Sequence, residues 1–125
     1  MVWYVTLWTN NFEKAAKFYD ELFKEIWAWR IMESDKFVFW AKKPWDLGGL
    51  SIIKPYNEKP ATVWNGVMVA IGLDSNEEVD KMYNKAIELW AISEGEAWPR
   101  GSGFYTWYFR DLDWNKLNFF HHKPM

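Results

Sequence analysis

One pattern, a strand followed by an amphipathic helix and three further strands, occurs twice in this chain. Nothing else in the sequence narrows the fold as much, because a repeat of a whole supersecondary unit dictates two similar modules. The first copy opens on VWYVTLWT (residues 2–9), alternating and rich in β-branched and aromatic residues, as a strand should be. The helix NNFEKAAKFYDELFKEI follows. Asn10 or Asn11 is its N-cap, and Phe12, Ala15, Ala16, Tyr19, Leu22, Phe23 and Ile26 recur at helical spacing along one face. Short strands are expected at 28–33 and 36–42, around Ser34-Asp35, and at 50–55, where Pro55 ends the run.

The second copy begins at GVMVAIGL (66–73), and Asp74-Ser75 caps NEEVDKMYNKAIELW. That helix turns Val79, Met82, Tyr83, Ala86, Ile87 and Leu89 inward. Strands are expected at about 92–96, 104–110 and 116–121. Aligning Tyr4 with Met68 relates the copies by 64 residues. One helix per half among four strands predicts an α+β domain over 1–125, with module 1 at about 1–56 and module 2 at about 64–123. Residues 56–65 are the only linker-like stretch.

Several function classes fall away at this stage. The net charge of −2 is spread without a basic stripe, so no nucleic-acid partner is expected. There is no cysteine, which excludes disulfides, thiolate nucleophiles and Cys metal sites. No apolar run is long enough to span a membrane, and the opening MVWYVTLWTN is too short and polar for a signal peptide, so a cytoplasmic protein is expected.

The anomaly is tryptophan: 11 residues, against 7 glycines. They sit at punctuation points. Trp27 and Trp90 each follow a helix, where a glycine commonly ends it. Trp114 stands in Asp111-Leu112-Asp113-Trp114-Asn115, a turn that calls for a residue tolerant of positive φ.

Three segments together resemble the glyoxalase/bleomycin-resistance/dioxygenase group, also called the vicinal oxygen chelate superfamily. They are YVTLWTNNFEKAAKFYDELF, NGVMVAIGLDSNEEVDKMYNKAIELWA and GFYTWYFRDLDWNKLNFF, and the resemblance covers nearly the whole chain. It implies two βαβββ modules whose curved sheets enclose a cleft. Sequences of this family are similar to the present one but carry glycine at Trp8, Trp27, Trp64, Trp90, Trp98, Trp107 and Trp114. Trp3, Trp29 and Trp45 fit this pattern less well, and Trp40 reads as a genuine strand residue. Some bacterial lineages decode UGA as glycine and other codes read it as tryptophan, so most of these residues are read here as glycine codons. The rival reading, true substitution, costs about 1–3 kcal/mol at each misplaced site.

The resemblance also implies where a site would lie. In metal-dependent relatives, inward residues of the first and last strands of each module hold a divalent ion through His, Glu or Gln. The matching positions here are Tyr4 and Met68, and Ser51 and Asn118. Such ions prefer carboxylate and imidazole donors, so no metal and no other cofactor is expected. Arg100, in a glycine-containing loop, could reach a carboxylate or phosphate with its planar fork, the alternative being a surface arginine. Tyr105 and Tyr108 have opposite parity on one strand, so at least one could line the cleft and donate its hydroxyl, the alternative being a half-buried core tyrosine. His121 and His122 are adjacent strand residues and should point to opposite faces.

Tyr4, Ser51, Met68, Arg100, Tyr105 and Asn118 are thus the candidate ligand-binding residues, and no catalytic residue is assigned. The expected function is metal-free binding of a small organic molecule. The alternative is a glyoxalase-I-like lyase or isomerase acting on a thiol adduct or carbonyl compound. It would need a base, for which Glu33 and Glu96 are the only loosely placed carboxylates. The resemblance is also compatible with a homodimer.

Overall fold

A computed structural model of the protein describes residues 1–44, 46, 48–63, 65–100 and 103–123, with the backbone alone for 96–100. The chain divides into two compact units, Met1–Val63 and Trp64–Met125. The elements of the first are β1 (Tyr4–Trp8), α1 (Phe12–Phe23) with a 3-10 turn at Lys24–Ile26, β2 (Trp29–Glu33), β3 (Phe37–Ala41) and β4 (Gly49–Ile53). Those of the second are β5 (Val69–Gly72), α2 (Asn76–Glu88), β6 (Ile92–Arg100), β7 (Phe104–Arg110) and β8 (Lys116–His122). Each unit is one four-stranded mixed sheet with one helix, and the strand orders correspond: β1-β4-β3-β2 and β5-β8-β7-β6.

The caps are where the sequence places them. Asn11 accepts the Lys14 amide into α1, and Ser75 accepts the Glu78 amide into α2. In the first unit the helix buries Ala15, Ala16, Phe18, Tyr19, Leu22 and Phe23. They meet alternate residues of the sheet, Leu7, Val38, Trp40, Leu50 and Ile52, each at most 6% exposed. In the second, Val79, Met82, Tyr83 and Ala86 are buried, with Phe109, Leu117 and Phe119 fully so on the sheet. Ile87 and Leu89, expected inward, are only half-buried at the end of α2.

The repeat holds in the hydrogen-bond register. The first and last strands of each unit pair in parallel, with Thr6 beside Ser51 in one and Ala70 beside Asn118 in the other. Thr6 and Ala70 differ by 64 positions, the offset read from the sequence. The main departure is β6, which runs to Arg100, four residues past the expected end. Its register to β7 shifts on either side of Gly95, whose φ is +145°, so an irregular ladder replaces the clean alternation that marks a strand in sequence.

The tryptophans divide by backbone. Among the described residues four non-glycine positions have positive φ, and three of them are Trp27 (61°), Trp90 (79°) and Trp114 (70°); the fourth is Glu58. At the end of α1, the Ala28 amide donates to Phe23 O and the Trp27 amide to Lys24 O. At the end of α2, the Ala91 amide donates to Ala86 O and the Trp90 amide to Ile87 O. Both are Schellman closures with tryptophan in the left-handed position that usually falls to glycine. Trp114 ends a turn in which its amide donates to Asp111 O and the Asp111 amide to Asn115 O, a hairpin loop that also favours glycine at the left-handed residue. All three indoles are more than half exposed.

Trp8 and Trp107 lie in strands and lack this geometry, so the conformational argument for glycine does not extend to them. Trp64 and the Trp98 side chain lie outside the described residues. Trp40 is 1% exposed and belongs to the core, as its place in the strand suggested.

Trp27→Gly, Trp90→Gly and Trp114→Gly are each expected to stabilise the protein by about 1 kcal/mol, because each relieves an L-residue held in a left-handed conformation. Trp40→Gly is expected to cost about 3–5 kcal/mol by emptying a core position. Thermal unfolding of the four variants measures both.

Candidate ligand-binding site

Alternation along the strands sorts the first sheet into two faces. The helix-side face is tied down by Asp20 of α1. Its carboxylate accepts two hydrogen bonds from Arg30, Nε at 2.8 Å and Nη2 at 2.7 Å, and one from Trp40 Nε1 at 2.9 Å. Burial pushes the Asp20 carboxyl up, but the bonds from Arg30 and Trp40 and the Arg30 charge outweigh this and hold it below the ordinary aspartate range. Asp80 plays a related part on α2, where one oxygen accepts from Tyr105 Oη and from Trp107 Nε1, both at 2.7 Å. The Trp107 ring stacks on Tyr83 with centroids 4.0 Å apart.

The opposite face of the first sheet carries a cavity of about 320 Å³. Tyr4 and Ser51, two of the residues singled out in the sequence, line it together. Thr6, Met32, Phe37 and Phe39 also line it and were not singled out. A signal was nonetheless present. In FVFWA, Phe37 and Phe39 share one parity while Trp40, bonded to the helix, has the other. The Phe39 ring meets Tyr4 edge to face at 5.4 Å and Trp3 at 6.2 Å. It lies over Gly49, where an added Cβ would stand 2.5 Å from Phe39 Cζ, so the ring needs a glycine beneath it.

In the second sheet, Asn118 is 5% exposed and Thr106 is 3% exposed. Tyr108 stands opposite Asn118 in the ladder, and Phe120 stands opposite Thr106. Asn118 Oδ1 and Thr106 Oγ1 are buried without a hydrogen-bond partner. Tyr105 has the other parity and is turned to α2. Its hydroxyl bond to Asp80, together with partial burial, raises its pKa above the usual tyrosine value, and the group serves there as a donor. It lines a second cavity, of about 470 Å³, beside the start of α2 with His121 and Lys123. His121 Nδ1 lies 2.9 Å from Asn76 Oδ1, while the His122 ring packs on Phe104, so the adjacent histidines have separate partners. Met68 precedes β5 and is 43% exposed. The Arg100 and Glu96 side chains lie outside the described residues. Glu33, the other loosely placed carboxylate, faces Arg30 at 3.4 Å.

Arg110 pairs with Glu94 of β6, and Glu94 also faces Lys116 at 3.7 Å. The Arg110 hydrogen bond, foremost, holds the Glu94 carboxyl below the ordinary range. Asp111 organises the turn, accepting the amides of Asp113 and Asn115, each at 2.9 Å.

The positions that the resemblance matches to the family's metal ligands, Tyr4, Ser51, Met68 and Asn118, supply a phenol, a hydroxyl, a thioether and an amide. That donor set does not fit a divalent ion that prefers carboxylate or imidazole. Among the described residues no group of three or more His, Cys, Asp or Glu side chains is placed to hold a metal. Among the same residues no helix is long and apolar enough to cross a membrane.

The Asp20 pairing has a definite pH signature. Its folded-state pKa is lowered, so its contribution is present above the unfolded aspartate value of about 3.9 and is lost as pH falls through the folded value. Thermal unfolding between about pH 7 and pH 2.5 should therefore show less acid sensitivity in Asp20→Asn than in the parent.

No family model matches the chain, and no curated protein gives a significant match. Solved structures do match. A glyoxalase/bleomycin resistance protein from Albidiferax ferrireducens superposes with a TM-score of 0.86 at 27% identity, covering 97% of this chain and 98% of that one. A lactoylglutathione lyase from Agrobacterium tumefaciens gives a TM-score of 0.71 at 18% identity, covering 97% and 92%. The fosfomycin resistance protein FosX from Listeria monocytogenes, solved with Mn(II) and a dihydroxypropylphosphonic acid, gives 0.72 at 19% identity, covering 100% and 90%. The duplicated β-α-β-β-β order and the 27% identical neighbour support assignment of the chain to the glyoxalase/bleomycin resistance/dioxygenase superfamily.

Proposed function

We propose that this protein binds a small organic molecule on the sheet faces turned away from its helices, and does so without a divalent metal. The observation that carries the reading is the donor chemistry at the four family positions. Tyr4 and Ser51 meet in one cavity, yet neither offers a carboxylate or an imidazole. The cavity's volume lies at the low end of the range for small-molecule sites. The Mn(II)-bound neighbour and the lyase neighbour are each under 20% identical, so they speak for the fold and not for a reaction. Lyase chemistry would also need a base at the site. No described carboxylate lines the first-sheet cavity, and Asp20, Asp80 and Glu94 beside the sheets are engaged with donors.

The test is thermal unfolding during titration with Mn²⁺, Ni²⁺ and Zn²⁺. An ion at 100 times its dissociation constant would stabilise the fold by about 2.7 kcal/mol, a shift of several degrees. The expected result is no saturable rise with any of them. A saturable rise, abolished by Ser51→Ala or Asn118→Ala, would overturn the reading.

A further inference from the structure

We infer that the ligand is an uncharged ring compound bearing a hydroxyl or carbonyl group, seated against Tyr4, Phe39 and Met32 and hydrogen-bonded through Ser51 or Thr6. This rests on the small-molecule reading above and names the class of molecule.

Charge is the first argument. Every described residue lining the cavity of the first sheet is uncharged, and its side-chain polar groups are the hydroxyls of Tyr4, Thr6 and Ser51 and the Trp3 indole N–H, which donates to Asp46 O. A carboxylate or phosphonate placed there would lose water without gaining a cation, which is among the costliest exchanges in a protein interior. Hydroxyls both donate and accept, so they suit a neutral alcohol, phenol, ketone or amide equally well.

Shape is the second. Tyr4 and Phe39 meet edge to face, with planes 85° apart, and so form two walls of an aromatic corner. Phe39 is only 3% exposed, so a flat ring placed there packs on the half-exposed Tyr4 ring, which Phe39 backs. Met32, 49% exposed on the neighbouring strand, supplies an adaptable thioether for the open side. Tyr4 is likewise 49% exposed, so apolar surface stands open on both edge strands of this sheet face, β1 and β2. An apolar cavity of about 150 Å³ holds benzene; about 320 Å³ holds one ring with a short substituent, or two small rings. Gly49 keeps Phe39 in place, because any Cβ there collides with the ring.

The second sheet, taken by itself, offers the same chemistry. Asn118 bears the same register relation to Ala70 as Ser51 does to Thr6. Its Oδ1 and Thr106 Oγ1 are buried, uncharged and unpartnered, whereas buried polar atoms are normally bonded. Among the described side chains, the cations on that strand face, Arg110 and Lys116, are already matched by Glu94.

Three probes share one ring and differ in one group: toluene, benzyl alcohol and benzoate. Each is titrated into the full chain, and the ¹³C-methyl signal of Met32 is followed by NMR. Benzyl alcohol should shift that signal saturably, and benzoate should bind at least about tenfold more weakly. Ser51→Ala should weaken benzyl alcohol several-fold and leave toluene unchanged. Gly49→Ala, checked for an unchanged melting temperature, should weaken both by displacing Phe39. If Gly49→Ala does not fold, the Ser51→Ala comparison decides alone. Benzoate binding as tightly as benzyl alcohol would overturn the inference while leaving small-molecule binding intact. An unmoved Met32 signal with all three probes would overturn both.

Discussion

Each module of this protein depends on a left-handed residue at the end of its helix. The sheet can form only if the chain leaves α1 or α2 sharply enough to return as β2 or β6 along the sheet edge. Both helices make that exit by the same pair of backbone bonds, closing at Trp27 and at Trp90. A third left-handed residue, Trp114, turns β7 into β8 and so sets the register that places Tyr108 opposite Asn118. Without these three turns, neither the parallel pairing of first and last strands nor the open sheet faces would follow.

The two faces of each sheet then divide the work. The helix side is bonded and dense, and a carboxylate on each helix, Asp20 or Asp80, ties it to indoles and other donors on the strands. The other side is left with side chains whose contacts are incomplete: half-exposed Tyr4 and Met32 in the first sheet, orphaned Thr106 and Asn118 oxygens in the second. Incomplete contacts on a rigid backing are what a binding surface requires. The rigidity comes from the covered face, and the specificity from the uncovered one.

Much of the fold could be read from the residues because its signals are local. Asn11 and Ser75 cap helices by their own side chains, and β-branched alternation marked β1, β4 and β5. The 64-residue offset survived into the register because parallel pairing leaves no freedom for a one-residue slip once one face is buried. The site was less legible. Tyr4 and Ser51 emerged from the resemblance, but Met32 and Phe39 could be placed at the cavity only once the strand parity is fixed by Trp40 meeting Asp20. Tyr105 and Tyr108 had to point opposite ways, and only the distant Asp80, 25 residues earlier, determines which one turns to the helix. The length of β6 was hidden by the bulges around Gly95, which break its alternation.

The tryptophans join these threads. Positions 27, 90 and 114 are glycine positions by backbone geometry, and the chain as written places its bulkiest side chain, largely exposed, at each. The left-handed backbone at these three positions suits glycine. Peptide sequencing by tandem mass spectrometry, on the protein purified from its own host, tests this most directly. Glycine at 27, 90 and 114 with tryptophan at 40 is the predicted result. Tryptophan at all four would contradict it and show that this fold is built with bulky residues in its left-handed turns.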